Sequence, residues 1–202
     1  MLDSKTQKKT QGFSLLELMI VIAVTMILAK MAVPRMMTTL NDISLRYVAT
    51  DLSGLLQSAR IQAVRQNSFY SVQPGTLASG TPIYYLSAPT ALYALGDTFV
   101  PISTAITVHQ GPGSGAPNET PFLASLKFVV DPVADAPSFS ARGLPCIGAN
   151  KACAQIPGQG FVIFVSRAVV MGNTPWAAVV VNPSGHIQVW TCDSTGNWVQ
   201  RD

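Results

Sequence analysis

Apolar and polar residues divide the chain near residue 34. Residues 13–33 form an almost continuous apolar run, FSLLELMIVIAVTMILAKMAV. As a helix this run would be ~31 Å long at ~1.5 Å per residue, which matches a bilayer hydrocarbon core of ~30 Å. The pattern therefore predicts a membrane-spanning helix over residues 13–34, preceded by a short polar segment over residues 1–12.

Beyond Pro34 the apolar residues recur every three or four positions, which is typical of a helix with one buried face. This pattern predicts an amphipathic helix over residues 35–67 that ends near Asn67. Core packing on a globular domain is the simpler account of the apolar stripe, and a coiled-coil partner is the alternative. The stripe consists of Leu45, Val48, Leu52, Leu55, Leu56, Ala59 and Ala63.

Residues 68–202 alternate between short apolar runs and turn-forming residues, so we predict a β-rich domain. The run over residues 110–121 is rich in Gly and Pro and is expected to be an exposed loop. Residues 181–186 read VNPSGH, which predicts a tight hairpin turn. The expected fold class is α+β, with a long N-terminal helix on an antiparallel sheet. The predicted strands are Phe69–Val72, Ile83–Leu86, Phe99–Ile102, Ile106–His109, Leu126–Val130, Phe161–Ser166, Ala177–Val181 and Ile187–Thr191.

Composition supports a folded protein. Of the 202 residues, 48% are hydrophobic and 11% are charged, whereas a soluble domain carries about 25% charged residues. Intrinsic disorder requires the opposite balance. The net charge of +3 is too small to indicate nucleic-acid binding by itself.

Three lysines in the N-terminal segment, Lys5, Lys8 and Lys9, outnumber its one acid, Asp3. Positive charge on one side of a membrane span holds that side in the cytoplasm. We therefore expect the C-terminal domain to lie in the periplasm. A secretory signal peptide is disfavoured because its apolar core would be ~7–15 residues long. Residues 33–35, VPR, also make a poor cleavage site for that pathway.

Glu17 lies inside the apolar run, where an ionised carboxylate costs free energy. Lys30 is thirteen residues away, or ~20 Å along a helix, and is too distant to neutralise it. An ordinary membrane anchor does not explain this acid. We infer that its partner comes from another molecule.

Residues 12–17, GFSLLE, resemble the processing site of type IV pilins and type II secretion pseudopilins. The resemblance implies that prepilin peptidase cleaves between Gly12 and Phe13 and methylates the new amine of Phe13. It also implies that Glu17 neutralises the Phe13 amine of a neighbouring subunit and so sets the register of assembly. Pro34 matches the pilin pattern as well, and it is expected to kink the helix.

Residues 51–65, residues 139–145 and the final hairpin resemble the GspH/FimT group of minor pilins and pseudopilins. The resemblance implies a minor-pilin-like subunit that assembles with other pilins through an inner-membrane platform. A type IV pilus is favoured by the helix after Pro34, and a type II secretion pseudopilus is the alternative. Some members of the group hold DNA through basic residues near the last hairpin. The matching turn here, residues 185–188, has no arginine, so DNA binding is disfavoured.

Three cysteines, Cys146, Cys153 and Cys192, lie in the segment expected to be periplasmic, where disulfides form. Cys146 and Cys153 bracket a short loop of small residues, and a disulfide across it would contribute ~2.5 kcal/mol by chain entropy. We expect this pairing, with Cys192 joined to one of the two as the alternative.

The sequence contains no recognisable catalytic motif, and we expect neither a metal nor a cofactor. His109 and His186 lack a ligand-like spacing to the cysteines. Removal of a leader that carries +2 would reduce the side-chain net charge from +3 to +1, which further disfavours nucleic acid as a partner. The expected protein is a structural subunit and not an enzyme.

Overall fold

The computed structural model describes residues 14–88, 96–131, 137–149, 152–154, 158–169 and 173–201. The chain divides into two compact units, Met1–Leu40 and Asn41–Asp202. Its elements are α1 (Leu15–Arg65), β1 (Tyr70–Thr76), β2 (Pro82–Ser87), β3 (Phe99–Pro101), β4 (Ile106–Gln110), α2 (Glu119–Ser125), β5 (Val129–Val130), β6 (Ser138–Phe139), β7 (Pro145–Ala149), β8 (Ala152–Ala154), β9 (Gln159–Arg167), β10 (Trp176–Val181), β11 (Ile187–Cys192) and β12 (Trp198–Arg201).

The long N-terminal helix predicted from the sequence is confirmed, and α1 is helical from Leu15 to Arg65. The helix includes Pro34, and the kink expected there stays a prediction. At its C-terminus the backbone N–H of Ser68 donates to the Ala63 carbonyl, and that of Asn67 donates to the Val64 carbonyl. Asn67 is left-handed with φ of 47°. This combination is a Schellman motif, which satisfies the last carbonyls of a helix.

In the second compact unit, α1 buries the face that the apolar stripe predicted. Six of the seven stripe residues are buried, Val48 is half-buried, and Ala49 adds a further buried position. The stripe packs against residues from both sheets in one hydrophobic cluster. Core packing therefore accounts for the stripe.

The strands form two antiparallel sheets where we expected one. The first sheet has the order β3-β2-β1-β6-β7-β8, and the second has the order β12-β11-β10-β9-β4, with β5 parallel to β9. A second sheet was not foreseen because consecutive strands pair in both sheets, and the sequence does not show where the chain leaves one for the other.

The central strands of the second sheet are buried on both faces. In β10, Val179 and Val181 belong to the cluster under α1, whereas Ala178 and Val180 belong to a second cluster. This alternation follows from the period of two residues along a strand. The second cluster is aromatic, and Phe122 of α2 stacks on Trp198 with ring centroids 4.4 Å apart.

The predictions for residues 110–130 were partly wrong. Gln110 belongs to β4, α2 begins at Glu119, and Ala116 is buried in the aromatic cluster. The strand expected from Leu126 is limited to Val129–Val130, because the chain turns at Lys127, where φ is 58°.

Glu119 holds the Gly-rich segment before α2. Its carboxylate accepts hydrogen bonds from the backbone N–H groups of Gly113, at 2.5 Å, and of Gly115, at 3.1 Å. Its other contacts are with the backbone N–H and the hydroxyl of Ser114. Burial acts to raise the pKa of Glu119, but these hydrogen bonds together outweigh it and lower the pKa below its usual value. Residues 111–118 lie outside helices and strands and most of them are exposed, as expected. The helical start at residue 119 was not predicted, because Gly and Pro spacing cannot reveal the hydrogen bonds that the Glu119 side chain makes.

Four further strands, β6, β7, β8 and β12, were not predicted. They have two to five residues each and are rich in small or polar residues. Such strands are specified by pairing with neighbours more than by their own composition.

The predicted hairpin turn is present between β10 and β11, with Val181 opposite Ile187. The Asn182 side-chain oxygen accepts hydrogen bonds from the backbone N–H groups of Ser184 and His186. Gly185 is left-handed with φ of 78°, and a Cβ there would collide with the Gly143 carbonyl.

We predict that Gly185→Ala destabilises the second compact unit more than Gly80→Ala does. Both glycines are left-handed, so alanine costs about 1–2 kcal/mol at either site. Only at Gly185 would the new methyl group also meet another backbone atom. Thermal unfolding of the full chain in detergent, followed by tryptophan fluorescence, measures the difference.

Gly54→Ala is a control in which the expected change in stability has the opposite sign. Gly54 lies on the exposed side of α1, and a Cβ added there would meet no other atom, so alanine should stabilise the helix by about 0.5–1 kcal/mol. Equal melting temperatures for Gly185→Ala and Gly80→Ala would contradict the packing argument.

Candidate functional site

The N-terminal part of α1 is an apolar surface that the first compact unit does not bury. Leu15 is 77% exposed and Met31 is 70% exposed. Among the described residues, α1 is the one helix long and apolar enough to cross a membrane, judged by length and composition. Exposed apolar area of this extent requires either lipid or other apolar helices.

Glu17 lies in the first turn of α1 and is exposed. Within the described part of the chain its carboxylate has no hydrogen-bond or ion-pair partner. Its neighbours one turn along the helix are Ile20 and Val21, which are also exposed. A carboxylate on an apolar surface needs a partner that neutralises it or donates hydrogen bonds to it.

The other residues predicted to act in processing or in shaping the helix are Gly12, Phe13 and Pro34. Gly12 and Phe13 lie outside the described residues, and Pro34 lies within α1. The expected pairing of Glu17 with a Phe13 amine is between two molecules, and it stays a prediction.

Residues 7–32 match the family model of the prokaryotic N-terminal methylation motif. The chain carries a prepilin-type methylation motif. The match covers the residues that carry the sequence resemblance, including Gly12, Phe13 and Glu17. Together with the α+β fold, the methylation motif supports a protein of the type IV pilin and pseudopilin superfamily.

No curated protein and no solved structure matches the chain significantly. The methylation motif implies processing by prepilin peptidase and assembly with other pilins. The motif and the fold point to a structural subunit and not to an enzyme. The motif and the apolar helix also indicate anchoring in a membrane.

Cys146 and Cys153 form a disulfide, the pairing expected from the sequence. Cys146 lies in β7 and Cys153 in β8, which pair as an antiparallel hairpin with a Cα–Cα distance of 5.4 Å between the cysteines. The bridge therefore joins β8, at the edge of the first sheet, to its neighbour β7.

Cys192 is a free thiol at the end of β11. Burial raises the pKa of this thiol, and the neighbouring Asp193 carboxylate raises it further. A raised pKa disfavours the reactive thiolate at neutral pH.

The two histidines lie in the second sheet or its turns, whereas the bridged Cys146 and Cys153 lie in the first sheet. His109 is in β4 and stacks on Trp176 with ring centroids 6.0 Å apart, and His186 is exposed at the β10–β11 turn. The described residues contain no cluster of three or more His, Cys, Asp or Glu side chains that could hold a metal ion.

The sequence did not predict that Arg46 and Arg201 line one groove. They lie on α1 and β12 and line the same groove of the second compact unit. The two residues are far apart in sequence, so neither spacing nor local composition signals that they come together.

We predict that Cys146 and Cys153 are linked in the protein isolated from cells and that Cys192 is reduced. Trypsin cleaves after Arg142, Lys151 and Arg167, so an unreduced digest should contain peptide 143–151 joined to peptide 152–167. Alkylation under denaturing conditions before digestion should label Cys192 alone. Recovery of a disulfide-linked Cys192 peptide by mass spectrometry would contradict the pairing.

Proposed function

We propose that the chain is a minor-pilin-like structural subunit of a type IV pilus, within the GspH/FimT group. The observation that carries the proposal is an exposed apolar helix with one carboxylate, Glu17, inside a prepilin-type methylation motif. The likeness of residues 51–65 to that group supports the finer assignment.

In this proposal residues 1–12 are a cytoplasmic leader. Prepilin peptidase cleaves between Gly12 and Phe13 and methylates the Phe13 amine. Residues 13–34 hold the processed subunit in the inner membrane, and residues 68–202 form the periplasmic domain.

Assembly then depends on charge neutralisation in a low-dielectric environment. The processed terminus creates a positive amine at Phe13, and Glu17 supplies the negative charge. Between neighbouring subunits the two charges attract strongly because lipid and packed apolar side chains screen them little. A subunit shifted along the axis would leave both charges unpaired, which is unfavourable. The pair therefore selects one axial register.

The exposed apolar side chains of α1 supply the remaining attraction. In the membrane they contact lipid, and in the filament they contact the helices of other subunits. An inner-membrane assembly platform extracts the subunit, and the β-rich domain follows α1 out of the membrane. The protein needs no cofactor and no bound metal for this role.

We predict that Glu17→Ala leaves membrane insertion and leader cleavage intact but reduces incorporation into filaments at least ~10-fold. Removing one partner of a buried ion pair costs about 3–5 kcal/mol, whereas alanine is compatible with both a helix and lipid. Immunoblots of the sheared filament fraction and the membrane fraction measure the two pools in cells that assemble the filament.

Asp42→Ala is the matched control, because Asp42 is an exposed acid on the same helix beyond the apolar segment. It should incorporate like the unaltered chain. Normal incorporation of Glu17→Ala would contradict the register argument. Recovery in a secretion pseudopilus instead of a pilus would assign the chain to the type II system.

A further inference from the structure

A groove of about 590 Å³ lies between α1 and the outer strands of the second sheet. Arg46, Thr50 and Ser53 of α1 form one wall. The other wall is formed by residues of β11 and β12, including Arg201. All of these residues belong to the second compact unit.

The groove exists because the second sheet extends beyond the part that is buried. In β10, five of the six residues are buried, whereas most of β11 is half-buried and most of β12 is exposed. The inner face of β11 is thus only partly covered, and Ile187 and Val189 form an apolar floor.

The register of the last hairpin places a charge beside this floor. Arg201 pairs with Val189 across the β11–β12 ladder, so their side chains lie on the same face of the sheet. The Arg201 Nε donates a hydrogen bond to the Thr191 hydroxyl at 3.1 Å. This hydrogen bond holds the guanidinium group at the groove.

Basic side chains lie at the edges of the groove. Arg46 contributes one guanidinium from α1, Arg201 contributes a second from β12, and the His186 ring lies at the turn. The described residues that line the groove include no Asp or Glu. An apolar floor between basic edges is complementary to an extended segment that alternates acidic and apolar side chains.

We propose that this groove binds an acidic, extended segment of a partner protein. Carboxylates of the segment pair with Arg46 and Arg201, and an apolar side chain rests on Ile187 and Val189. The proposal goes beyond filament assembly, because it uses neither Glu17 nor the apolar part of α1.

A single-stranded nucleic acid fits the groove less well. Such ligands stack their bases on aromatic side chains, but Trp190 and Trp198 pack with Phe122 in the second hydrophobic cluster, away from the cluster under α1. Two arginines also provide few phosphate contacts.

The test is fluorescence anisotropy with the full chain in detergent micelles at low salt. The probe is a fluorescein-labelled peptide of alternating glutamate and valine. The comparison probes are the same peptide with lysine in place of each glutamate, called the lysine peptide, and a labelled oligothymidine. We expect saturable binding of the glutamate peptide that weakens as salt is added, and no binding of the lysine peptide.

Arg46→Gln and Arg201→Gln should each raise the Kd of the glutamate peptide at least about threefold, and the double variant about tenfold. Arg142→Gln is the matched control, since Arg142 is exposed in the turn before β7, and it should leave the Kd unchanged. Near-UV circular dichroism verifies the fold of each variant, and Arg46 is exposed on α1, so its replacement does not disturb the core.

Three results would overturn the proposal. They are no saturable binding of the glutamate peptide, equal weakening by Arg142→Gln and Arg46→Gln, and tighter binding of oligothymidine than of the glutamate peptide. None of these results bears on the Glu17 experiment, so the two proposals fail separately.

Discussion

Neither water nor lipid alone is a favourable environment for an apolar helix that carries one acidic side chain. Water leaves the apolar side chains of α1 exposed, and lipid leaves the Glu17 carboxylate without a partner. An apolar environment that also supplies a cation satisfies both. In the proposed function, that environment is a bundle of identical or related helices, each with a freshly exposed amine at its own terminus.

The second half of α1 is stabilised in a different way, by packing against the β-rich domain. There the helix buries Leu52, Leu56 and Ala59 against the sheets, and burial of a side chain such as leucine contributes about 1.5–3 kcal/mol. The β-rich domain is further held by the aromatic cluster around Phe122 and by the Cys146–Cys153 bridge. One helix thus carries both an assembly surface and the core contact of a folded domain.

The parts of the fold that were predictable are those where the sequence pattern has a direct geometric meaning. The apolar stripe of α1 follows the helical period, and the turn after Val181 contains the Pro and Gly that its backbone requires. The start of α2 was not predictable, because it depends on a hydrogen bond from the Gly113 backbone N–H to the Glu119 carboxylate. The division into two sheets and the groove between Arg46 and Arg201 depend on long-range pairing, which local sequence does not encode. For the candidate site, Glu17 could be proposed as a candidate from the sequence alone, because the cost of a charge in an apolar run does not depend on tertiary contacts.

The most direct test of the central claim is the N-terminus of the protein recovered from assembled filaments. Tandem mass spectrometry of the N-terminal peptide should find a chain that begins at Phe13 and carries one methyl group on its amine. That result would place the cation needed by Glu17 where the account requires it. A chain that retains Met1, or that begins at any residue other than Phe13, would contradict it.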